Sequence, residues 1–193
     1  MGYSSLWAQA LSAPPYLVAF FVVLWSAYAS DRRAQRSPFI IFFALLAAGG
    51  YMLIVTSGLL GLPAWLRYVG LYPACMGFFC CVTLVITWTL NNQDSETKKG
   101  AGIAILQFFG QCGPLLGTRL FPEDDGPLYT RGMGVCALFM AAVAILTWVL
   151  RQVLLRENRL RTKNAGLEMS EDVARPLVGE GEKNEREVFL LML

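Results

Sequence analysis

Apolar residues in this chain come in long runs rather than at period two or in amphipathic stripes. Residues 1–30 carry no charge, and neither do 37–66, 68–90, 101–118 or 132–150. A charge-free apolar run of about 17–25 residues is long enough to cross the hydrocarbon core of a bilayer as a helix. The pattern predicts an all-α membrane protein with five transmembrane helices, over about 14–30, 38–57, 67–91, 101–121 and 133–155. Pro14 and Pro15 suit the start of the first helix and Pro38 the start of the second, because a first-turn proline withholds an N–H that has no partner anyway. Pro73 sits inside the third. Residues 1–13 precede the first span, and the polar, acidic stretch 156–193 reads as a disordered cytoplasmic tail.

Composition sharpens this picture. The chain is 55% hydrophobic and 16% charged, whereas about a quarter of a soluble domain is charged. A soluble helical core would need charged outer faces, which these runs lack. The chain has no histidine and five cysteines, all inside apolar runs and without C-x-x-C spacing. Catalysis through Ser-His or Cys-His pairs is therefore excluded, and the cysteines read as small apolar filler. No catalytic residue, metal site or cofactor is expected, and no nucleic-acid partner. The acidic "PEDD" at 122–125 is the one candidate for a polar constellation of an enzyme or scaffold.

Charge placement sets the orientation. Alternating loops put Arg32, Arg33, Arg36, Lys98, Lys99, Arg151, Arg156, Arg159, Arg161 and Lys163 on one side and only Arg67, Arg119 and Arg131 on the other. The richer side is expected to be cytoplasmic. The turn "SDRRAQRSP" then lies in the cytoplasm. Asp31 is its odd member, because a negative charge at a helix C-terminus opposes the helix dipole. Asp31, Arg32 and Arg36 are expected to form a loop latch, with Asp31 facing the N-terminus of the fourth helix near Lys98–Gly102. Inside the spans, Tyr72, Met76, Cys80, Thr83, Thr87 and Asn91 recur at helical spacing and form a mildly polar stripe on the third helix, and Gln107 and Gln111 sit one turn apart on the fourth. Tyr72, Thr83, Thr87, Gln107 and Gln111 are the candidate cavity-lining residues. The two amides are expected to point inward, since an unpaired amide in hydrocarbon is costly. The competing reading is hydroxyls bonded to their own helix and ordinary helix packing, with Gly113 and Gly117 as a G-x-x-x-G contact.

Three stretches in order resemble a known family. "SAPPYLVAFFVVLWSAYASDRRAQRSPFI", "TWTLNNQDSETKKGAGIAI" and "FPEDDGPLYTRG" followed by "RENRLR" resemble helices eight to twelve of the major facilitator superfamily, in particular its fungal anion:cation symporters of the allantoate permease type. The turn "D-R-x-x-x-R" is a weakened form of that superfamily's loop signature. Phe121 stands where the family often has Tyr. The resemblance implies part of a C-terminal six-helix bundle, and a secondary, proton-coupled carrier of a small organic anion at the plasma membrane. It also implies a separate N-terminal transporter half as partner. The alternative is a truncated, non-transporting membrane fragment or an interaction scaffold. No Asp, Glu, Lys, Arg or His lies mid-span, so a titrating group of that kind in a coupled carrier must lie outside these helices.

Overall fold

In a computed structural model, residues 5–93, 95–122, 125–126 and 128–174 are described. They form five helices: α1 (Ser5–Arg33), α2 (Ser37–Leu59), α3 (Ala64–Asn91), α4 (Glu96–Leu120) and α5 (Thr130–Ala174). Four of them are long and apolar enough to cross a membrane. The other, α4, is 25 residues long, but Gln107, Gln111 and its glycines dilute its apolar character. The architecture is an all-α membrane bundle, consistent with part of the major facilitator fold.

Two helix boundaries differ from the sequence expectation. α1 starts at Ser5 and carries Pro14 and Pro15 inside it. A proline at position i leaves the carbonyl of i−4 without its usual donor. For Pro15 that carbonyl belongs to Leu11, and the Tyr68 hydroxyl of α3 donates to it at 3.1 Å. A neighbouring helix thus supplies the missing bond, which is how membrane helices tolerate internal proline. At the other end, α5 continues past Leu155 to Ala174, through residues expected to belong to the tail. A charged helix can continue beyond the bilayer, because its backbone stays paired and its side chains meet water. Residues 175–193 lie outside the described residues, as do Glu123 and Asp124 of the acidic turn.

α2 is the centre of the bundle, packed between α3 and α5, while α1 lies against α3. The core joins Ile40, Phe43, Ala44 and Ala47 of α2 to Cys80, Cys81, Leu84 and Trp88 of α3, with Met140, Ala144 and Leu154 of α5. Small residues set the α2–α3 distance. A Cβ on Gly50 would stand 2.5 Å from the Ala74 nitrogen, and one on Gly77 2.7 Å from the Ala47 nitrogen. Hydrophobic burial gives little drive between helices in lipid, so close backbone approach and its dispersion contacts carry the association. The G-x-x-x-G at Gly113 and Gly117 does not serve this purpose here, since a Cβ at either position meets nothing within 4 Å. α4 is the least engaged helix and buries no residue.

The turn between α2 and α3 contains Gly61 in the left-handed region at φ 63°. Leu60 and Leu62 donate back to Thr56 and Ser57 at 2.9 Å each, which closes the end of α2 before Pro63 starts α3. That turn lies at the end of the bundle where Gly58 approaches Thr130 of α5. At the opposite end the α1–α2 loop meets the C-terminus of α3.

Candidate functional site

The α1–α2 loop is short because α1 ends on a left-handed residue. Ala34 has φ 48°, and its N–H donates to the Asp31 carbonyl at 3.1 Å. The Ser30 hydroxyl donates to the Gln35 carbonyl at 3.2 Å. Three residues, 34–36, separate the helices, and Pro38 lies in the first turn of α2.

Arg36 is the hub of this turn. Its guanidinium donates to Asp31 Oδ1 at 2.5 Å. With the Asn91 amide oriented so that its oxygen faces the guanidinium, Asn91 accepts from Arg36 Nε at 2.9 Å and Nη2 at 2.8 Å. The Arg36 side chain is 6% exposed, whereas that of Asp31 is 61% exposed. Each member of the pair is poorly placed for its own helix: Asp31 near the C-terminus of α1, Arg36 at the N-cap of α2. Together they neutralise each other. The guanidinium also lies at the C-terminal end of α3, where a cation is favoured by the helix dipole. One buried cation therefore ties three helices.

The structure corrects the expected partner of Asp31, which pairs with Arg36 rather than with the N-terminus of α4. That N-terminus is capped by Ser95, whose hydroxyl oxygen accepts from the Lys98 N–H at 3.4 Å, while Lys99 pairs with Glu96 at 2.7 Å. Arg32 stands apart from the hub, over the Tyr28 ring at 5.0 Å. Arg33 lies over Phe39 at 5.6 Å. Asn91, which helical spacing assigns to the polar stripe of α3, joins the loop group instead. Its position at the end of α3, near the headgroup level, was the available signal.

The candidate cavity residues do not converge. Tyr72 meets the Tyr68 hydroxyl at 3.2 Å. With Tyr68 donating to Leu11, Tyr72 is the donor in that pair, so it supports the bond that repairs the Pro15 gap. Thr83 donates to the Phe79 carbonyl at 3.0 Å and Thr87 to Thr83 at 2.5 Å, both within α3. Thr83 also borders an apolar groove of about 250 Å³ with Tyr16, Phe20 and Phe79. Gln107 and Gln111, expected to point inward, are exposed on α4. The reason is that little of the chain packs on α4. Of the cysteines, Cys80 and Cys81 fill the core, but Cys112 is exposed.

These bonds separate structural hydroxyls from dispensable ones. Tyr68→Phe should lower stability in detergent by about 1–2 kcal/mol, since it strands the Leu11 carbonyl. Thr87→Val keeps the shape and removes only a bond within its own helix, so its change should stay within about 0.5 kcal/mol. Thermal unfolding of the two variants side by side checks the contrast.

A second feature at the same end was not legible in the sequence. α3 and α5 diverge around an open cavity of about 410 Å³, bordered by Trp88, Asn92, Gln93, Leu154, Glu157 and Arg161. Glu157 and Arg161 pair across one turn of α5 at 2.8 Å. This cavity puts the basic stretch of α5 at the same end as Arg32, Arg33 and Arg36.

No protein-family model matches the chain, and no solved structure matches it. The high-affinity nicotinic acid transporter of Saccharomyces cerevisiae is 27% identical over 177 residues, which is 92% of this chain and 32% of that protein. An MFS-type transporter of Penicillium expansum is 28% identical over 177 residues, 89% of this chain and 33% of the relative. A major facilitator-type transporter of Emericella nidulans is 27% identical over 192 residues, 95% of this chain and 37% of the relative. The relatives are fungal MFS-type transporters. The chain spans about a third of the length of each. All three are named as transporters, none as an enzyme, and the membrane-length helices agree with that.

Proposed function

We propose that the chain is the C-terminal part of a secondary, proton-coupled carrier of a small organic anion, completed by a separate N-terminal half. Homology over most of the chain, with only about a third of each relative covered, is the observation that carries this reading. The motifs quoted above favour the anion:cation symporters of the allantoate permease type. Nicotinic acid, the substrate named for one relative, is itself a small carboxylic acid. The exposed face of α4, with Gln107 and Gln111, is where the remainder of the carrier would pack and where a substrate path would run. Transport by the isolated chain is not expected, because five helices with one open side cannot enclose a cavity with alternating access. The Asp31–Arg36–Asn91 junction then works as the latch at the cytoplasmic face of the plasma membrane. It would hold the α1–α2 loop to α3 in one state of the cycle and loosen it in the other.

Placing this chain in the Saccharomyces nicotinic acid transporter, in exchange for the segment it matches, tests the reading. The chimaera should reach the membrane and take up a small organic anion. A chimaera that reaches the membrane folded and carries none of a panel of such anions would contradict it.

A further inference from the structure

Beyond its apolar span, α5 remains helical and carries Arg156, Arg159, Leu160 and Lys163 at i, i+3, i+4 and i+7, the spacing of a single helix face. Arg156, Arg159 and Lys163 are exposed, and Leu160 is 61% exposed. Among the described residues none of the three cations is paired with a carboxylate. The nearby Glu157 is engaged by Arg161 instead. Arg159 and Lys163, with Leu155, Asn158 and Thr162, border an open groove of about 440 Å³. Along the helix axis Arg159 lies about 6 Å and Lys163 about 12 Å past Leu155. The headgroup layer on one side of a bilayer is roughly 5–8 Å deep. With Leu155 taken as the hydrocarbon edge, Arg159 falls within that layer, and Lys163 reaches it by the length of its side chain. Leu160 adds an exposed apolar side chain to the same face.

We propose that this stripe binds the headgroups of anionic phospholipids, with Arg159 and Lys163 gripping the phosphate in the groove and Arg156 adding a further charge. The complementarity is of charge and of depth: unpaired cations and one exposed leucine stand where anionic headgroups lie. This inference is independent of the proposed transport activity.

Native mass spectrometry of the purified chain, titrated with phosphatidylserine or phosphatidylcholine, tests it. The chain should retain phosphatidylserine in clear preference, and added salt should erode the preference. Each cation near a charged surface contributes about fivefold, so the triple variant Arg156→Gln/Arg159→Gln/Lys163→Gln should lose roughly a hundredfold. The variant Arg156→Lys/Arg159→Lys, which keeps the charges, should retain the preference. Equal retention of the two lipids, or undiminished preference in the glutamine variant, would overturn the proposal. So would displacement of the lipid by inorganic phosphate at equal concentration, which would mark a site for soluble anions. If the glutamine variant does not stay monodisperse, the salt titration of the unaltered chain decides, and a salt-insensitive preference overturns the proposal.

Discussion

Gly77→Leu should leave little folded protein. The Gly77 position faces the Phe43 carbonyl oxygen and the backbone of Ala47, with an added Cβ only 2.7 Å from the Ala47 nitrogen. Those obstacles are backbone atoms of α2, so they cannot swing away as a flexible side chain would. α2 and α3 would have to separate along their length. That separation would loosen Phe43, Ala47, Cys80 and Leu84, all central to the core. Overpacking usually costs 1–3 kcal/mol, and a backbone–backbone clash belongs at or beyond the upper end, about 3 kcal/mol or more. The matched control is Gly113→Leu, where an added side chain meets open space. It replaces a poor helix former with a good one, so it should be neutral or mildly stabilising. Thermal unfolding and size-exclusion profiles in detergent compare the two. Equal damage from both substitutions would show that α4 packs in the isolated chain as closely as α3 does.

Arg36→Ala should be the second most damaging change, and far more damaging than Asp31→Asn. Arg36 is buried and holds Asn91 and Asp31 together. Its removal takes away charge-assisted hydrogen bonds and leaves the end of α3 without its cation. Hydrogen bonds to a charged group contribute about 1.5–3 kcal/mol, and the exposed partner adds little, so the loss should be about 2–4 kcal/mol. Asp31→Asn keeps an acceptor oxygen and removes a charge that opposes its own helix dipole, so its effect should stay below about 1 kcal/mol. Unfolding midpoints in detergent give both values. If the chain works in a carrier as proposed above, Asp31→Asn carries a second expectation. Labelling of cysteines at the basic end should rise, because a change below 1 kcal/mol still shifts two states that differ by a few kcal/mol. Unchanged labelling and transport would leave the loop with an orienting role alone.

Much of the fold was legible because membrane spans are written in one dimension. Charge-free runs give the helices, and clustered charges give the turns. The pairing of Arg36 with Asn91 was not legible, since it joins positions 55 residues apart and depends on where α3 ends. The α2–α3 contact was missed for a similar reason. A glycine in an apolar run marks a close approach only when a second helix faces it, and Gly113 and Gly117 looked better on spacing than Gly50, Gly70 and Gly77. The rule that puts proline in a first turn fails at Pro14 and Pro15, which lie inside α1. The Tyr68 hydroxyl that lets α1 run through Pro15 lies on another helix. Gln107 and Gln111 were expected inside because amides avoid lipid. They are exposed in this chain because α4 has little to pack against among the described residues.

The topology expected from the charge pattern crosses the membrane five times, with its basic end in the cytoplasm. Tags at the two ends of the chain, probed by protease in sealed vesicles of known orientation, test it directly. An odd number of crossings puts the ends on opposite sides. The account predicts a C-terminal tag on the cytoplasmic side, with Arg36 and Arg159, and an N-terminal tag on the other. Both tags on one side would mean that one helix, such as α4, which is not among the four apolar enough to span, does not cross, and would contradict the account.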